Sequence, residues 1–320
     1  MAEFTKTDEN NKGNNTVKIE SPDTDENKKD NNTVKQQDNG ANVDNKIYRN
    51  ITVLDKRPIV ILFGPKDCGK TTVFVRMLRY FASKTDSNNH NYCDFVFDRS
   101  FRKGDKYKEE CSKMERYVRD KKMIPASTPD GAYLLAKITE CGNTVFQFLE
   151  AAGEDYVPEP NKQITSDVAF KDYLKNISRL PNKRIWVFFF NLKLAEDNAD
   201  WREEYFKRII KAKRELVKEK DSVIILFDKA DETEEYFVGD DRPNLEQFIE
   251  RAKELYQDSD NNCFSLFSIP RFLRSPKEPD AVAFSSGKRV KNVDNDDKEE
   301  WEEGAKSYCV AFETAINDAL

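Results

Sequence analysis

The stretch FGPKDCGKTT, from Phe63 to Thr72, contains a Gly, four intervening residues and then Gly-Lys-Thr. The apolar run PIVILF leads into it, and the helix-like pattern VFVRMLRYF follows it. Two glycines let the backbone curl so that several N–H groups point inward, and a helix that begins at the same point adds its positive end. A loop of this kind binds phosphate. The spacing therefore predicts a nucleotide-binding site.

Each residue of this loop has an expected role. Lys70 is expected to reach the β- and γ-phosphates and to be catalytic, and the hydroxyl of Thr71 is expected to ligate Mg²⁺. The other loop residues expected to contact the nucleotide are Gly64, Lys66, Asp67, Cys68, Gly69 and Thr72.

A second group of polar residues lies in FLEAAGEDY, from Phe148 to Tyr156, after an apolar run. A carboxylate that leaves a buried strand beside a phosphate loop has the place of an acid that organises Mg²⁺, and Glu150 is the candidate. Gly153, three residues later, lets a backbone N–H approach a γ-phosphate. We therefore expect Glu150 at the metal and Gly153 at the nucleotide.

Here the chain resembles the Ras- and Rho-like small GTPases of the P-loop superfamily. The stretch is similar to their Asp-Thr-Ala-Gly-Gln-Glu element: Glu150 has the Asp position, Ala151 replaces Thr, and Ala152 and Gly153 match. Glu154 stands where the catalytic Gln would be. The resemblance therefore implies a catalytic role for Glu154.

The stretch VIILFDKADE, from Val223 to Glu232, is similar to the family's Asn-Lys-x-Asp element, with Asp228 replacing Asn and with Lys229 and Asp231 matching. The resemblance implies that Asp231 accepts from N1–H and the N2 amino group of guanine, whereas adenine would present an acceptor to it. A site built to receive donors rejects an analogue that lacks them by about 10⁴-fold or more. Lys229 would lay its aliphatic stem along the base. GTP or GDP is the expected ligand.

Two further elements of the family have candidates. A threonine that closes over Mg²⁺ should precede the second strand, and Thr128 in PASTPDG is the candidate, with Ser127 as its rival. An element that resembles Ser-Ala-Lys and contacts the base should follow the sixth strand. Ser268-Ile269-Pro270 lies there without the Lys, so Ser268 is the expected nucleotide contact.

Apolar runs and amphipathic stretches alternate along the chain. Strands are predicted for PIVILF, AYLLAKIT, NTVFQFLE, RIWVFFFNLKL, SVIILFD and NCFSLFSI, the second and third of them as a hairpin. Helices are predicted from Lys70 to about Lys84, for KYKEECSKMERYVRDKKM, DVAFKDYLKNISRL, WREEYFKRIIKAKRELVKEK and LEQFIERAKELYQ, and from about Asp297 onward, with Trp301 on its apolar face. We predict an α/β fold of the three-layer P-loop NTPase G-domain type. It has six mostly parallel strands, one antiparallel edge strand and helices on both faces.

The chain divides into two parts by composition. Residues 1–50 are rich in Asn, Asp and Lys, and they are predicted to be a disordered tail in which NNTVK occurs twice. Residues 51–320 are predicted to be a Ras-like GTPase domain with insertions at about 85–131 and 271–295. These insertions look like those of divergent bacterial members of the family, including the double-GTPase type.

Composition excludes several other classes of function. The 320 residues carry a net charge of −6, which is not the basic footprint of a nucleic-acid-binding protein. Six cysteines form no Cys-x-x-Cys pair and there is a single histidine, so we expect no zinc site. The sequence contains no apolar run of about 18 residues, and we expect neither a leader nor a lipidation signal. We expect a soluble cytoplasmic protein without a membrane anchor.

Three departures from the family bear on hydrolysis. Glu154 replaces the amide that orients water, Glu150 is one methylene longer than Asp, and Lys66 is bulky where many members have Gly. We therefore expect a slow, Mg²⁺-dependent GTPase that acts as a switch and needs an unidentified protein effector or activator. Two alternatives stay open: an ATP-using P-loop NTPase or kinase, and a catalytically degenerate G-domain interaction module.

Overall fold

The structure is a computed structural model. It describes residues 53, 55–88, 90–129, 131–157, 168–232, 237–238, 242–258, 262–271, 274–277, 279–292 and 295–320. All of them belong to the compact unit Gly40–Leu320. The predicted tail, residues 1–50, lies outside the described residues, so its assignment stays a prediction.

The strands of the described chain form one large sheet and several small hairpins. The main sheet contains β1 (Ile59–Phe63), β2 (Cys93–Phe97), β3 (Tyr133–Glu140), β4 (Asn143–Ala151), β5 (Arg184–Phe190), β6 (Ser222–Asp228) and β11 (Asp280–Phe284). The hairpins pair β7 (Phe237–Val238) with β8 (Arg242–Pro243), β9 (Ile269–Arg271) with β10 (Arg274–Lys277), and β12 (Lys288–Asn292) with β13 (Asn295–Glu302).

The strand order of the main sheet is β2-β3-β4-β1-β5-β6-β11. β1 lies parallel to β4 and β5, with Val60 opposite Phe148 and Ile185, and β6 lies parallel to β5 and β11. β3 is antiparallel to both of its neighbours. The carboxyl ends of β1, β4, β5, β6 and β11 therefore meet at one edge of the sheet, where ligands bind in open α/β sheets.

Helices cover this sheet. They are α1 (Lys70–Ala82), α2 (Asp105–Arg119), α3 (Gly153–Tyr156), α4 (Asp172–Arg179), α5 (Leu192–Asp197), α6 (Ala199–Glu215), α7 (Leu245–Leu255) and α8 (Lys306–Ala319). Every residue of β1 and β5 is buried, which requires cover on both faces of the sheet. The predicted three-layer α/β fold is confirmed. No helix among the described residues is long and apolar enough to cross a bilayer.

The predicted number of strands was wrong, because the main sheet of the described chain has seven. The additional strand, β2, lies within the segment predicted as an insertion and forms one edge of the sheet. Its centre is not buried: Asp94 and Val96 are exposed on one face, and Phe95 on the other face is half-buried. An edge strand with this mixed pattern gives a weaker signal than the buried runs at the centre.

The predicted sixth strand, NCFSLFSI, was also wrong. Its centre, Ser265–Phe267, is a 3₁₀ helix, and the Asn262 side chain accepts hydrogen bonds from the backbone N–H groups of Phe264 (3.0 Å) and Ser265 (2.9 Å). These bonds favour a turn over an extended strand. The short run DAVAF forms β11 beside β6 instead, inside the segment predicted as the second insertion.

The last helix begins later than predicted. The pattern placed its start near Asp297, but β13 continues to Glu302 and α8 begins at Lys306. Trp301 therefore belongs to a strand and not to the apolar face of a helix. Tyr308, Phe312 and Ile316 are buried on α8, as the spacing indicated.

Candidate functional site

A cleft of about 710 Å³ lies at the carboxyl ends of the parallel strands. It brings together most of the predicted site residues, namely Lys66, Asp67, Gly69, Lys70, Thr71, Thr72, Thr128, Glu150, Gly153, Glu154, Asp228, Lys229 and Asp231. These residues come from segments that are distant in the sequence. The lining of the cleft does not include three other predicted residues, Gly64, Cys68 and Ser268.

The loop between β1 and α1 curls as its glycines require. Gly69 has φ +80°, a left-handed conformation that favours glycine, and it precedes the first turn of α1, where Val73 N–H donates to its carbonyl at 2.8 Å. Lys70 Nζ donates to the carbonyl of Pro65 at 2.6 Å. The buried lysine side chain thus folds back over its own loop and places its ammonium near the N-terminus of α1.

Close packing explains the glycines that flank this loop. A Cβ at Gly64 would lie 2.6 Å from Cys68 Sγ, and a Cβ at Gly153 would lie 2.2 Å from the backbone nitrogen of Lys66. Gly64 therefore lets the Cys68 thiol turn inward, where burial raises its pKa to about 11. Gly153 lets the segment after β4 touch the loop directly.

Three oxygen-bearing side chains meet beside the loop. Thr71 Oγ1 donates to Glu150 Oε1 at 2.8 Å, and Thr128 Oγ1 donates to Glu150 Oε2 at 2.7 Å. The two hydroxyl oxygens are 3.1 Å apart. Of the two residues considered for this position, Thr128 thus contacts Glu150 through its hydroxyl, while Ser127 is its neighbour in the cleft lining.

Glu150 is fully buried at the end of β4. Burial raises the pKa of its carboxyl, and the hydrogen bond from Thr128, the charge of Lys70 and the hydrogen bond from Thr71 oppose that rise. A cation at this carboxylate would further favour its charged form. A carboxylate with two hydroxyls is a donor set of hard oxygens, which suits Mg²⁺ when phosphate and water complete the shell.

The buried Arg79 of α1 holds the end of α2, from which the chain continues to Thr128. Arg79 Nε donates to the carbonyl of Tyr117 at 3.0 Å, and Arg79 Nη2 donates to that of Asp120 at 2.7 Å. Arg79 also forms an ion pair with Glu303 (3.0 Å), just after β13. The helix that begins at the phosphate loop is therefore tied both to the end of α2 and to the base of the β12–β13 hairpin.

The two unusual charges near the loop form a pair. Lys66 Nζ lies 3.0 Å from Glu154 Oε1. The lysine side chain is 44% exposed and the glutamate 17% exposed, so the pair sits at the rim of the cleft. Lys66 thereby offsets part of the negative charge that Glu154 brings to this rim.

The other end of the cleft contains the DKAD segment. Asp228 is buried, Lys229 has φ +55°, and Asp231 lies exposed in the 3₁₀ helix Ala230–Glu232. A Cβ at Gly69 would be 2.4 Å from Asp228 Oδ2, so the Asp228 carboxylate packs directly on the phosphate loop. Asp228 therefore connects the DKAD segment to the phosphate loop.

Ser268 is not at the cleft, because the strand expected before it is not a strand. It follows the 3₁₀ helix Ser265–Phe267, and its hydroxyl donates to the carbonyl of Phe264 at 3.1 Å. The residues that follow the actual edge strand, β11, do line the cleft: Ser286, Gly287, Lys288 and Arg289, together with Trp301. The signal that could have found them is Ser-Ser-Gly-Lys directly after the short apolar run DAVAF.

Two comparisons of the sequence found no match. No family model matches the chain, and no curated protein matches its sequence. A structure of the signal recognition particle receptor SRb-GTP/SRX complex from Chaetomium thermophilum is similar at 14% identity, over 55% of this chain and 71% of that one, with a TM-score of 0.32. A structure described as nucleolar GTP-binding protein 1 from Plasmodium falciparum is similar at 12% identity, over 84% and 87%, with a TM-score of 0.34.

The strand order and the position of the loop decide the fold. A Gly-x4-Gly-Lys-Thr loop connects the central strand β1 to α1, and the acidic Glu150 is the penultimate residue of the neighbouring strand β4. The chain has the fold of a P-loop GTPase. Within this P-loop GTPase fold, β2, β11 and the β12–β13 hairpin are among the additions to the predicted plan of strands and helices.

Proposed function

We propose that the chain binds GTP and GDP in this cleft, hydrolyses GTP slowly with Mg²⁺, and acts as a nucleotide-controlled switch. The observation that carries the proposal is the meeting of Lys70, the Thr71–Glu150–Thr128 contacts and Asp231 along a single cleft. A phosphate loop alone is common to many NTPases. Its combination with an acidic residue that suits guanine is more specific.

The phosphates would lie at the mouth of α1. Backbone N–H groups of residues 66–71 and the ammonium of Lys70 are the expected partners of the β- and γ-phosphates. Thr71, Thr128 and Glu150 would hold the magnesium ion, directly or through water. Bound there, the ion would neutralise charge on the phosphate oxygens.

Guanine is favoured by the character of Asp231. A carboxylate offers only acceptors, so it suits the N1–H and N2 amino groups of guanine, whereas adenine offers an acceptor at the corresponding position. Lys229 beside it has a long aliphatic stem that can cover the face of the base. These two residues support GTP over ATP as the ligand.

Slow hydrolysis is supported by Glu154. It cannot donate a hydrogen bond to a phosphate oxygen while it accepts one from water, as an amide can, because an ionised carboxylate only accepts. Its pairing with Lys66 directs the carboxylate toward the loop. A protein activator that displaces this pair or supplies a cation would accelerate the reaction.

A switch function is supported by the position of Thr128. The hydroxyl contacts Thr71 and Glu150, but the residue lies on a connection between α2 and β3 rather than in a helix or strand. Contacts of this kind to the metal and the γ-phosphate order such segments in the triphosphate state, and they are lost after hydrolysis. A protein effector that distinguishes the two states is the implied partner.

The deciding experiment is a calorimetric titration of the purified chain with GTP, GDP and ATP in Mg²⁺. We expect GTP and GDP to bind at least about a hundredfold more tightly than ATP. Equal affinity for ATP and GTP would favour a general P-loop NTPase. If no nucleotide bound or raised the melting temperature, the chain would be an interaction module without a nucleotide, and the proposal would be wrong.

A further inference from the structure

The β12–β13 hairpin lies at the end of the cleft that contains Asp228 and Asp231, which we call the base end. β11 pairs in parallel with β6, and Phe284, its last residue, lies opposite Asp228. The residues that follow β11 therefore leave the sheet beside Asp228 and Asp231. Gly287 has φ +114°, and a Cβ there would lie 2.2 Å from the carbonyl oxygen of Glu302, so the two strands of the hairpin touch closely at its base.

Trp301 faces the cleft from this hairpin. It lies opposite Arg289 in the β12–β13 ladder, and both residues line the cleft. The other two tryptophans of the chain have different surroundings, because Trp186 is buried in the hydrophobic core and Trp201 packs against that core. Trp301 is half-buried and lines the cleft, so it is not enclosed in the core as Trp186 is.

The backbone of Trp301 is tied to the segment that carries Thr128. Its N–H donates to the carbonyl of Lys122 at 3.0 Å, and the Lys122 ammonium lies 3.0 Å from Glu300 Oε2. Pro125 to Thr128 then continue along the cleft wall. Trp301 is thereby held between the residues at the base end and the segment that reaches Glu150.

We propose that the indole of Trp301 packs against the nucleoside of the bound guanine nucleotide, so that the hairpin after β11 forms one wall of the base site. This inference rests on the proposed function. An indole offers a large, flat and rigid surface, and stacking of a base on such a surface is strong and tolerant of base identity. Trp301 would thus add affinity, while Asp231 selects the base.

The test uses the tryptophans themselves. Full-length chain, Trp301→Phe and the matched control Trp201→Phe are titrated with GDP and GTP in Mg²⁺, with tryptophan emission and binding heat recorded in parallel. Binding is expected to change the emission of the unaltered chain and of Trp201→Phe, and to leave the emission of Trp301→Phe unchanged. Trp301→Ala is expected to weaken GDP binding by about tenfold, and Trp301→Phe by much less.

The outcomes separate the two proposals. Binding heat with unchanged emission in Trp201→Phe, or unaltered affinity in Trp301→Ala, would overturn the Trp301 contact and leave nucleotide binding intact. Absence of binding heat for the unaltered chain would overturn both. If Trp301→Ala fails to fold, as judged by its thermal transition, the emission and affinity of Trp301→Phe decide the question.

Discussion

The two ends of the cleft are built differently. At the end near the phosphate loop, Lys70, Thr71 and Glu150 are buried and joined by short hydrogen bonds to protein groups. At the base end, Asp231 and Arg289 are exposed, and the wall is made of turns and a hairpin that follow β6 and β11. We refer to these as the phosphate end and the base end.

This difference indicates where each kind of selectivity resides. Removal of a buried partner at the phosphate end leaves another buried polar group unsatisfied, at about 1–3 kcal/mol, and affects every nucleotide alike. Exposed groups at the base end contribute chiefly by their match to one base. Substitutions of buried groups at the phosphate end should therefore weaken nucleotide binding in general, and substitution of Asp231 at the base end should change which base is preferred.

The largest effect is expected for Lys70→Ala. Loss of the charged donor at the mouth of α1 should weaken binding of GTP and GDP by about a hundredfold or more, because charge-assisted hydrogen bonds to phosphate are the strong ones. Calorimetric titration measures it. Lys66→Ala removes an exposed charge from the same loop and is the matched control, expected to change affinity less than about fivefold. If Lys66→Ala lost as much affinity as Lys70→Ala, buried and exposed charges of the loop would contribute equally to nucleotide binding, contrary to this prediction.

Asp231→Asn should act on base choice. Replacement of one carboxylate oxygen by an amide donor creates a mismatch with N2 of guanine and a match with an oxygen at that position, so affinity for GDP should fall by about a hundredfold while affinity for xanthosine diphosphate rises. Competition titrations with both nucleotides measure the exchange of preference.

Asp228→Asn is the control for this change, because Asp228 packs on Gly69 rather than at the exposed rim. It restores the family's residue and should keep the guanine preference. If Asp231→Asn lost affinity for GDP and for xanthosine diphosphate equally, Asp231 would not contact the N2 position. The base end would then not be the source of base selectivity.

The phosphate end was predictable because each of its parts is local in sequence. The loop residues Gly69, Lys70 and Thr71 follow a buried strand within one stretch, and Glu150 lies in the buried last part of another strand. Parallel strands that flank the loop bring their carboxyl ends together without further information. Thr128 required a choice between two neighbours, which only the hydrogen bond to Glu150 distinguishes.

The base end was less predictable because its wall depends on which strand pairs with β6. The apolar run at 262–269 is longer than DAVAF, so periodicity favours it, yet side-chain capping by Asn262 turns it into a 3₁₀ helix. The pairing of β11 with β6 is a contact between residues distant in sequence. Ser268 was misplaced for this reason. Trp301 was assigned to a helix because its spacing to Tyr308 and Phe312 fits a helix, whereas it lies in β13.

An intermediate effect is expected for Thr128→Ala. Its hydroxyl is one of two that contact Glu150, so its loss should weaken GTP binding in Mg²⁺ by about tenfold, with a smaller effect on GDP. Affinities for both nucleotides over a Mg²⁺ series measure the difference. Ser127→Ala changes the neighbouring hydroxyl and should leave both affinities unchanged. A larger effect of Ser127→Ala would assign the switch role to Ser127.

The smallest effect on nucleotide binding is expected for the Lys66–Glu154 pair at the rim of the cleft. Substitutions there are the most informative about the rate of GTP hydrolysis. Glu154→Gln removes a negative charge near the γ-phosphate and provides an amide that both donates and accepts, so GTP hydrolysis should rise by about tenfold or less, equivalent to about 1.4 kcal/mol of barrier. Single-turnover hydrolysis measures it, with Lys66→Ala and the double variant completing a cycle.

Because the Lys66–Glu154 pair is partly exposed, its coupling in that cycle should be no more than about 1 kcal/mol. If Lys66 serves mainly to offset Glu154, Lys66→Ala alone should slow hydrolysis, and this loss should vanish when Glu154 is already Gln. Additive effects would mean that Lys66 acts on the phosphates independently of Glu154. Lys66 would then belong to the phosphate end, as a second cationic group beside Lys70.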